Sequence, residues 1–331
     1  MRKSIFCLLI AALAWSSCSN EFDVNAEFAE FGVVYGLLDL SKSRQFIRVN
    51  KAFLDDIEPI QSATDIASSS IDSIYFSENI SVSMDEFNPN GAFTRTIVFD
   101  RMSGSEAGLG PKEEGLFNNT EFFIYVTDEE IRSGHRYDLT VITDGGNELT
   151  SSTSLADDFN IAIPIVTLEN DALSNEYEIA AFDNVSLAWE RANNATIYDV
   201  VMRINIDEFN TADVSPARSY FLDWPVASNI RDNQTGTFAN LMVDFQYESF
   251  LTFLQNQLDP DPSVFRVIER LEIIISAGTE ELEQFRDVSL ASGSNLNAGQ
   301  ARPIFSNIEN GIGVFASINE VTRTVLRLSN N

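Results

Sequence analysis

The side chains able to move protons, hold metals or form covalent intermediates are unevenly supplied: 50 aspartates and glutamates, one histidine (His135) and two cysteines (Cys7 and Cys18). Carboxylates in pairs carry glycoside hydrolysis, and in clusters they hold hard cations such as calcium. A lone histidine can act as base for a serine nucleophile. Here no G-x-S-x-G turn occurs, and Gly134-His135-Arg136 reads as a polar surface turn entering a strand at Tyr137. One histidine cannot make a His-His metal site within one chain. No cysteine follows residue 18, which removes disulfides, thiolate nucleophiles and Cys-rich zinc sites from any fold beyond it.

Spacing narrows the rest. Glu86-Phe87-Asn88-Pro89-Asn90-Gly91 mimics the first half of a calcium loop, but Ile97 stands where the twelfth-position glutamate is required, so a β-turn is expected. Gly311-Ile312-Gly313 lacks the third glycine of a dinucleotide loop and reads as a hairpin turn or bulge. Among so many carboxylates no catalytic pair can be chosen, so the sequence predicts no catalytic residues, no metal ligands and no cofactor. One stretch, 41–54, holds Lys42, Arg44, Arg48 and Lys51 and no acid. On a strand, Arg44 and Arg48 share a face with Phe46, while Ile47 and Val49 point the other way. That face is either a patch for an anionic partner or sugar, or a solvated face paired with neighbouring carboxylates.

The positioning elements belong to a folded chain: of 331 residues, 44% are hydrophobic and 21% charged, and the formal charge is -29. So negative a surface repels phosphate backbones and anionic headgroups, which argues against nucleic-acid partners. Arg2 and Lys3 precede an apolar run of eleven residues, Ile5 to Trp15. That run is too short for a membrane-spanning helix, which needs about 20, and it has the form of an export signal. Ser16-Ser17-Cys18 follows it and resembles the lipobox of bacterial lipoproteins. The resemblance implies cleavage after residue 17 and acylation of Cys18, which would hold the mature chain in a membrane leaflet. Loss of Arg2 and Lys3 takes the charge from -29 to about -31. Glu21 and Asp23, soon after the cysteine, resemble the surface-export signal of Bacteroidota lipoproteins, which implies an outer-membrane anchor facing the cell surface, with the periplasmic face as the alternative. Asp72-Ser73-Ile74 resembles the short O-glycosylation acceptor pattern of envelope proteins of that group and marks Ser73.

Strand signals recur at 33–38, 45–53, 73–76, 80–84, 94–99, 121–126 and 137–143, and 148–155 pairs back through the turn Asp144-Gly145-Gly146-Asn147. The expected fold is mainly β, with two tandem β-sandwiches of immunoglobulin or fibronectin III type. An acidic tether (18–30) leads to a first sandwich (31–156). A second (157–331) opens with Trp189 packed under Tyr198, and Tyr198, Val200, Met202 and Ile204 alternate on one face. Helical insertions are predicted near 247–258 and 279–288, a strand at 270–277, and a closing strand pair at 313–318 and 322–328.

Several stretches read together resemble an uncharacterised family of Bacteroidota outer-membrane lipoproteins. They are Val33-Val34-Tyr35-Gly36-Leu37-Leu38-Asp39, Ile47 to Leu54, Tyr137 to Val141, and above all Asn307-Ile308-Glu309-Asn310-Gly311-Ile312-Gly313-Val314-Phe315. The resemblance implies an envelope protein encoded near TonB-dependent receptors, with such a receptor or a glycan or peptide ligand as partner and no catalytic residues to transfer. The expectation is a non-enzymatic binding or accessory component of an uptake system. The alternatives are a carboxylate-based glycan hydrolase and a structural or adhesive surface protein.

Overall fold

The computed structural model describes residues 29–54, 75–110, 122–163, 185–232, 240–292 and 305–326. The chain is mainly β. In the first half, β1 (Ala29–Asp39) and β2 (Gln45–Leu54) form an antiparallel hairpin in which Val34 faces Val49. β3 (Ser81–Phe87), β6 (Arg136–Ile142) and β7 (Glu148–Ser154) form a second antiparallel group. The long strand β4 (Phe93–Ser103) belongs to both groups: its first part pairs with β3, and Asp100–Ser103 pair with β5 (Phe123–Thr127), which also borders β2. A strand that changes partners along its length turns the corner between two layers.

Period-two alternation fills the space between those layers. Val34, Leu38, Ile47 and Val49 come from one side, and Val82, Met84, Ile97, Leu139 and Val141 from the other, all essentially inaccessible to water. Each such side chain contributes about 1.5–3 kcal/mol by leaving water. At 144–147 the hairpin closes as expected, with Gly146 at φ +79° and Thr143 N–H donating to Asn147 O at 2.9 Å.

A second core lies between three strands, β8 (Ile161–Ile163), β9 (Val185–Glu190) and β12 (Asn240–Phe245), and the sheet formed by β10 (Ile197–Asn210), β11 (Pro216–Arg231) and β13 (Val264–Gly278). Trp189 and Tyr198 are fully buried here with ring centroids 5.8 Å apart. Helix α1 (Tyr247–Gln257) lays Phe250 and Phe253 on Trp224 and ends just before Pro260 and Pro262. Helix α2 (Glu280–Ser292) sets Leu282 and Phe285 against Val314 and Ala316 of the last strand, with Glu280, Glu281 and Glu283 in its first turn, where the helix dipole favours acids. No helix of the described residues is long and apolar enough to cross a membrane.

Three expectations are corrected. The closing strand pair is one continuous strand, β14 (Gly311–Leu326). Its first part runs parallel to β1, from Gly32 opposite Gly311 to Asp39 opposite Ile318, and its second runs antiparallel to β13. Asn319, the turn former between the expected strands, instead donates its side-chain amide to Asp157 O at 2.9 Å. Gly311-Ile312-Gly313 is neither a hairpin turn nor a bulge but the in-register start of β14. Tyr75 and Phe76, expected at the end of a strand, lie outside regular structure. Through β14 a single sheet of order β11-β10-β13-β14-β1-β2-β5-β4-β3-β6-β7 runs past the expected boundary near Asp157.

Candidate functional site

The most concentrated polar chemistry among the described residues lies at one end of the first core. On β3 the inward positions are Val82, Met84 and Glu86, so a glutamate occupies a core position and is fully buried. Register sets Arg95 of β4 directly opposite it on one side and Tyr137 of β6 on the other. Arg95 Nε donates to Glu86 Oε2 at 2.6 Å, and His135 Nδ1 lies 2.6 Å from Glu86 Oε1. An ionised carboxylate only accepts, so Nδ1 carries the proton. Arg132 Nη1 stands 3.6 Å from the same oxygen. Burial pushes the Glu86 carboxyl up, but the hydrogen bonds from Arg95 and His135 and the charges of Arg95 and Arg132 outweigh it and hold the group below the ordinary glutamate range.

His135 is therefore not the surface turn residue the sequence suggests: its side chain is 14% exposed and anchored to a buried acid. The turn itself is present, with Gly134 at φ +70°. Arg95 also donates to Glu129 Oε2 at 2.7 Å and to the carbonyl of Glu130, which ties the 128–132 segment to the core end. The arrangement is an ion network around one carboxylate. Among the described residues no hydroxyl or thiol is bonded to the imidazole, and so they form no triad geometry.

Beside this network, on the outer side of the sheet, a cleft of about 450 Å³ opens at the junction of the two cores. Phe87, the 88–91 turn and Arg136 contribute from the first half, and Asp157 and Asn194 from the segments leading into the second. The turn is the one expected from the failed calcium loop: Asn88 Oδ1 accepts from the N–H groups of Asn90 (2.9 Å) and Ala92 (3.1 Å), and Gly91 sits at φ +78°. Arg136 lies over the Phe87 ring, 4.5 Å from its centroid, while donating to Asp138 Oδ2 at 3.1 Å. Asp157 accepts from Ser133 Oγ at 3.2 Å and from Asn193 Nδ2 at 2.9 Å, and so clips the two halves together.

The basic stretch is placed on and before β2, and its members have partners. Arg44 makes a two-pronged bond to Asp128 (2.6 and 3.0 Å), which holds that carboxyl below its usual range. Lys42 Nζ is 3.9 Å from Glu320, and Arg48 Nε donates to Asn50 Oδ1 at 3.4 Å. Lys51 Nζ lies 5.0 Å from the centre of the Phe76 ring. Ile47 and Val49 point into the core as expected. The four cations are thus spread over separate partners and do not converge on a common point. Among the described residues no group of three or more His, Cys, Asp or Glu side chains is placed to hold a metal ion. Cys18 and Ser73 lie outside the described residues.

No protein-family model matches the chain, and no curated protein does. Solved structures similar to it include trypsin-activated alpha-2-macroglobulin from Escherichia coli, at 10% identity and a TM-score of 0.17 over 76% of this chain and 14% of that one. Another is the C-terminal globular domain of oligosaccharyltransferase from Pyrococcus abyssi, at 8% identity and a TM-score of 0.22 over 56% of this chain and 36% of that one. The chain spans well under half the length of either. Likenesses at these scores carry no functional argument.

Proposed function

We propose that the protein is a lipid-anchored component of the bacterial cell envelope, held in the outer membrane through acylated Cys18, and that it binds a ligand or partner rather than transforming one. The observation that carries this reading is the leader: an eleven-residue apolar run, small residues, then the one cysteine that survives cleavage. From Cys18 to the first strand residue, Ala29, is a span of eleven residues, which limits the fold to within about 40 Å of the leaflet. In this reading the protein serves as an accessory or binding subunit of a TonB-dependent uptake system, with the fold facing the cell surface.

Binding rather than hydrolysis is favoured by the composition of the junction cleft, whose lining among the described residues holds a single carboxylate, Asp157; glycoside hydrolysis uses two. The hydrolase alternative has one observation in its favour. Asp85 and Asp138 are direct cross-strand partners on the outer face of the sheet. Both are engaged by hydroxyls, Asp85 by Thr96 at 2.5 Å and Asp138 by Ser152 at 2.7 Å, and neither lines the junction cleft.

The accessory role is tested by purifying the full-length lipoprotein from membranes in mild detergent and identifying what stays with it. Retention of an outer-membrane β-barrel receptor is expected. A protein that always purifies alone contradicts the accessory role.

A further inference from the structure

The junction cleft has a chemical character that selects among ligands. Its volume of about 450 Å³ is within the usual range for small-molecule sites. Phe87 and Pro89 supply apolar contact, and Phe93, which packs edge-on against Phe87 at 6.0 Å and is 57% exposed, extends that surface beyond the cleft.

The polar rim alternates donors and acceptors. Arg136 has five N–H donors and spends one on Asp138. Asp157 offers about four acceptor positions and uses one for Ser133 and one for Asn193. Asn194 donates its amide to Leu155 O at 3.1 Å, which leaves its own carbonyl to accept, whereas Asn88 spends its carbonyl within the turn and keeps its amide to donate. Donors and acceptors so interleaved suit hydroxyl groups, each of which gives one hydrogen and accepts two.

Charge removes the competitors. Arg136 and Asp157 balance one another across the rim, so these two residues favour neither an anion nor a cation. An anionic ligand would also approach a chain of net charge -29. A ligand with apolar ring faces and many neutral hydroxyls satisfies the whole lining. We infer that the junction cleft binds a neutral oligosaccharide, with Phe87 and Pro89 against a sugar ring face and Arg136, Asp157 and Asn194 bonding its hydroxyls. This deepens the binding reading above and rests on it, but not on the anchor at Cys18.

Isothermal titration of the purified full-length lipoprotein in detergent, with maltohexaose, cellohexaose, mannohexaose and xylohexaose as probes and trialanine as the peptide control, tests the inference. Saturable binding of at least one hexasaccharide is expected. Phe87→Ala should weaken it about fivefold or more, the weight of one lost aromatic contact. Asn194→Gly should also weaken it; Asn194 sits at φ +61°, so glycine keeps the backbone and circular dichroism should report an intact fold. Silence from all four sugars, binding undiminished in both variants, or preference for trialanine would each overturn the inference. Sugar silence with the receptor still retained would overturn the ligand class alone, and sugar binding by a protein that purifies without a receptor would overturn the accessory role alone.

Discussion

A Cβ placed on Gly313 would stand 1.8 Å from the carbonyl oxygen of Val34, so β14 passes β1 at a distance only glycine allows. Gly313 also sits at φ +127°, a conformation that side chains rarely adopt. Val34 is fully buried in the first core, and the strand that begins beside it continues as the border of β13, which lines the second.

Gly313→Ala is therefore expected to cost about 2–4 kcal/mol, from strain added to a backbone clash. Because β14 serves both cores, scanning calorimetry should show them melting together at a lower temperature. An unchanged melting temperature would contradict the close parallel pairing.

Each core carries a buried tyrosine hydroxyl that accepts a backbone N–H a few residues upstream. Tyr137 accepts from Arg132 at 2.8 Å, and Tyr198 accepts from Ala192 at 2.9 Å. Burial raises both phenols, Tyr198 to about 12, so both stay neutral at physiological pH. Tyr137→Phe and Tyr198→Phe should each cost about 1–3 kcal/mol by leaving unsatisfied a backbone N–H that is part-buried at Arg132 and buried at Ala192. Urea denaturation measures this; a loss confined to one of the two would show that the corners are not equivalent.

Glu86 should make the protein acid-sensitive. Its folded-state pKa is depressed, so the stability it contributes is fully present above the unfolded glutamate value of about 4.3 and is lost as pH falls through the lower folded value. The groups facing it are Arg95, Arg132, His135 and Tyr137, and protonation leaves the arginines without their counter-charge. Glu86→Gln is expected to cost about 3 kcal/mol at neutral pH, the low end for breaking a buried pair because Arg95 and Arg132 keep access to water, and to flatten the decline in melting temperature below about pH 4. A variant as stable as the wild type, with the same acid profile, would remove Glu86 from this role.

Much of the fold was legible because its signals are local. Alternation of Tyr198, Val200, Met202 and Ile204 marked β10, strand-forming stretches at 45–53 and 137–143 marked β2 and β6, helical spacing near 247–258 marked α1, and the glycines at 145–146 marked a hairpin. The parallel pairing of β14 with β1 joins residues nearly three hundred positions apart, and no local pattern encodes it. Strands β11 and β12 gave no expected element. The centre of β11 alternates, with Tyr220, Leu222, Trp224 and Val226 toward the second core, but Pro225 interrupts the run and its first residues are exposed, as on an edge strand. The buried ion network has a readable signal in the sequence: Glu86 shares its parity with Val82 and Met84, and Arg95 shares its own with Ile97 and Phe99. An acid and a base on the inward faces of neighbouring strands are a pair waiting for a register. The junction cleft had no such signal, since its walls come from turns that only the tertiary fold brings together.

The central claim, anchoring through Cys18, is tested most directly by fractionating cells that express the wild type or Cys18→Ala and weighing the mature chains by intact mass spectrometry. The wild type should sediment with the outer membrane and carry the mass of acyl chains at Cys18, while the variant should be soluble and unacylated. A soluble wild type without acyl mass, or a Cys18→Ala variant that still sediments with the membrane, would contradict the account.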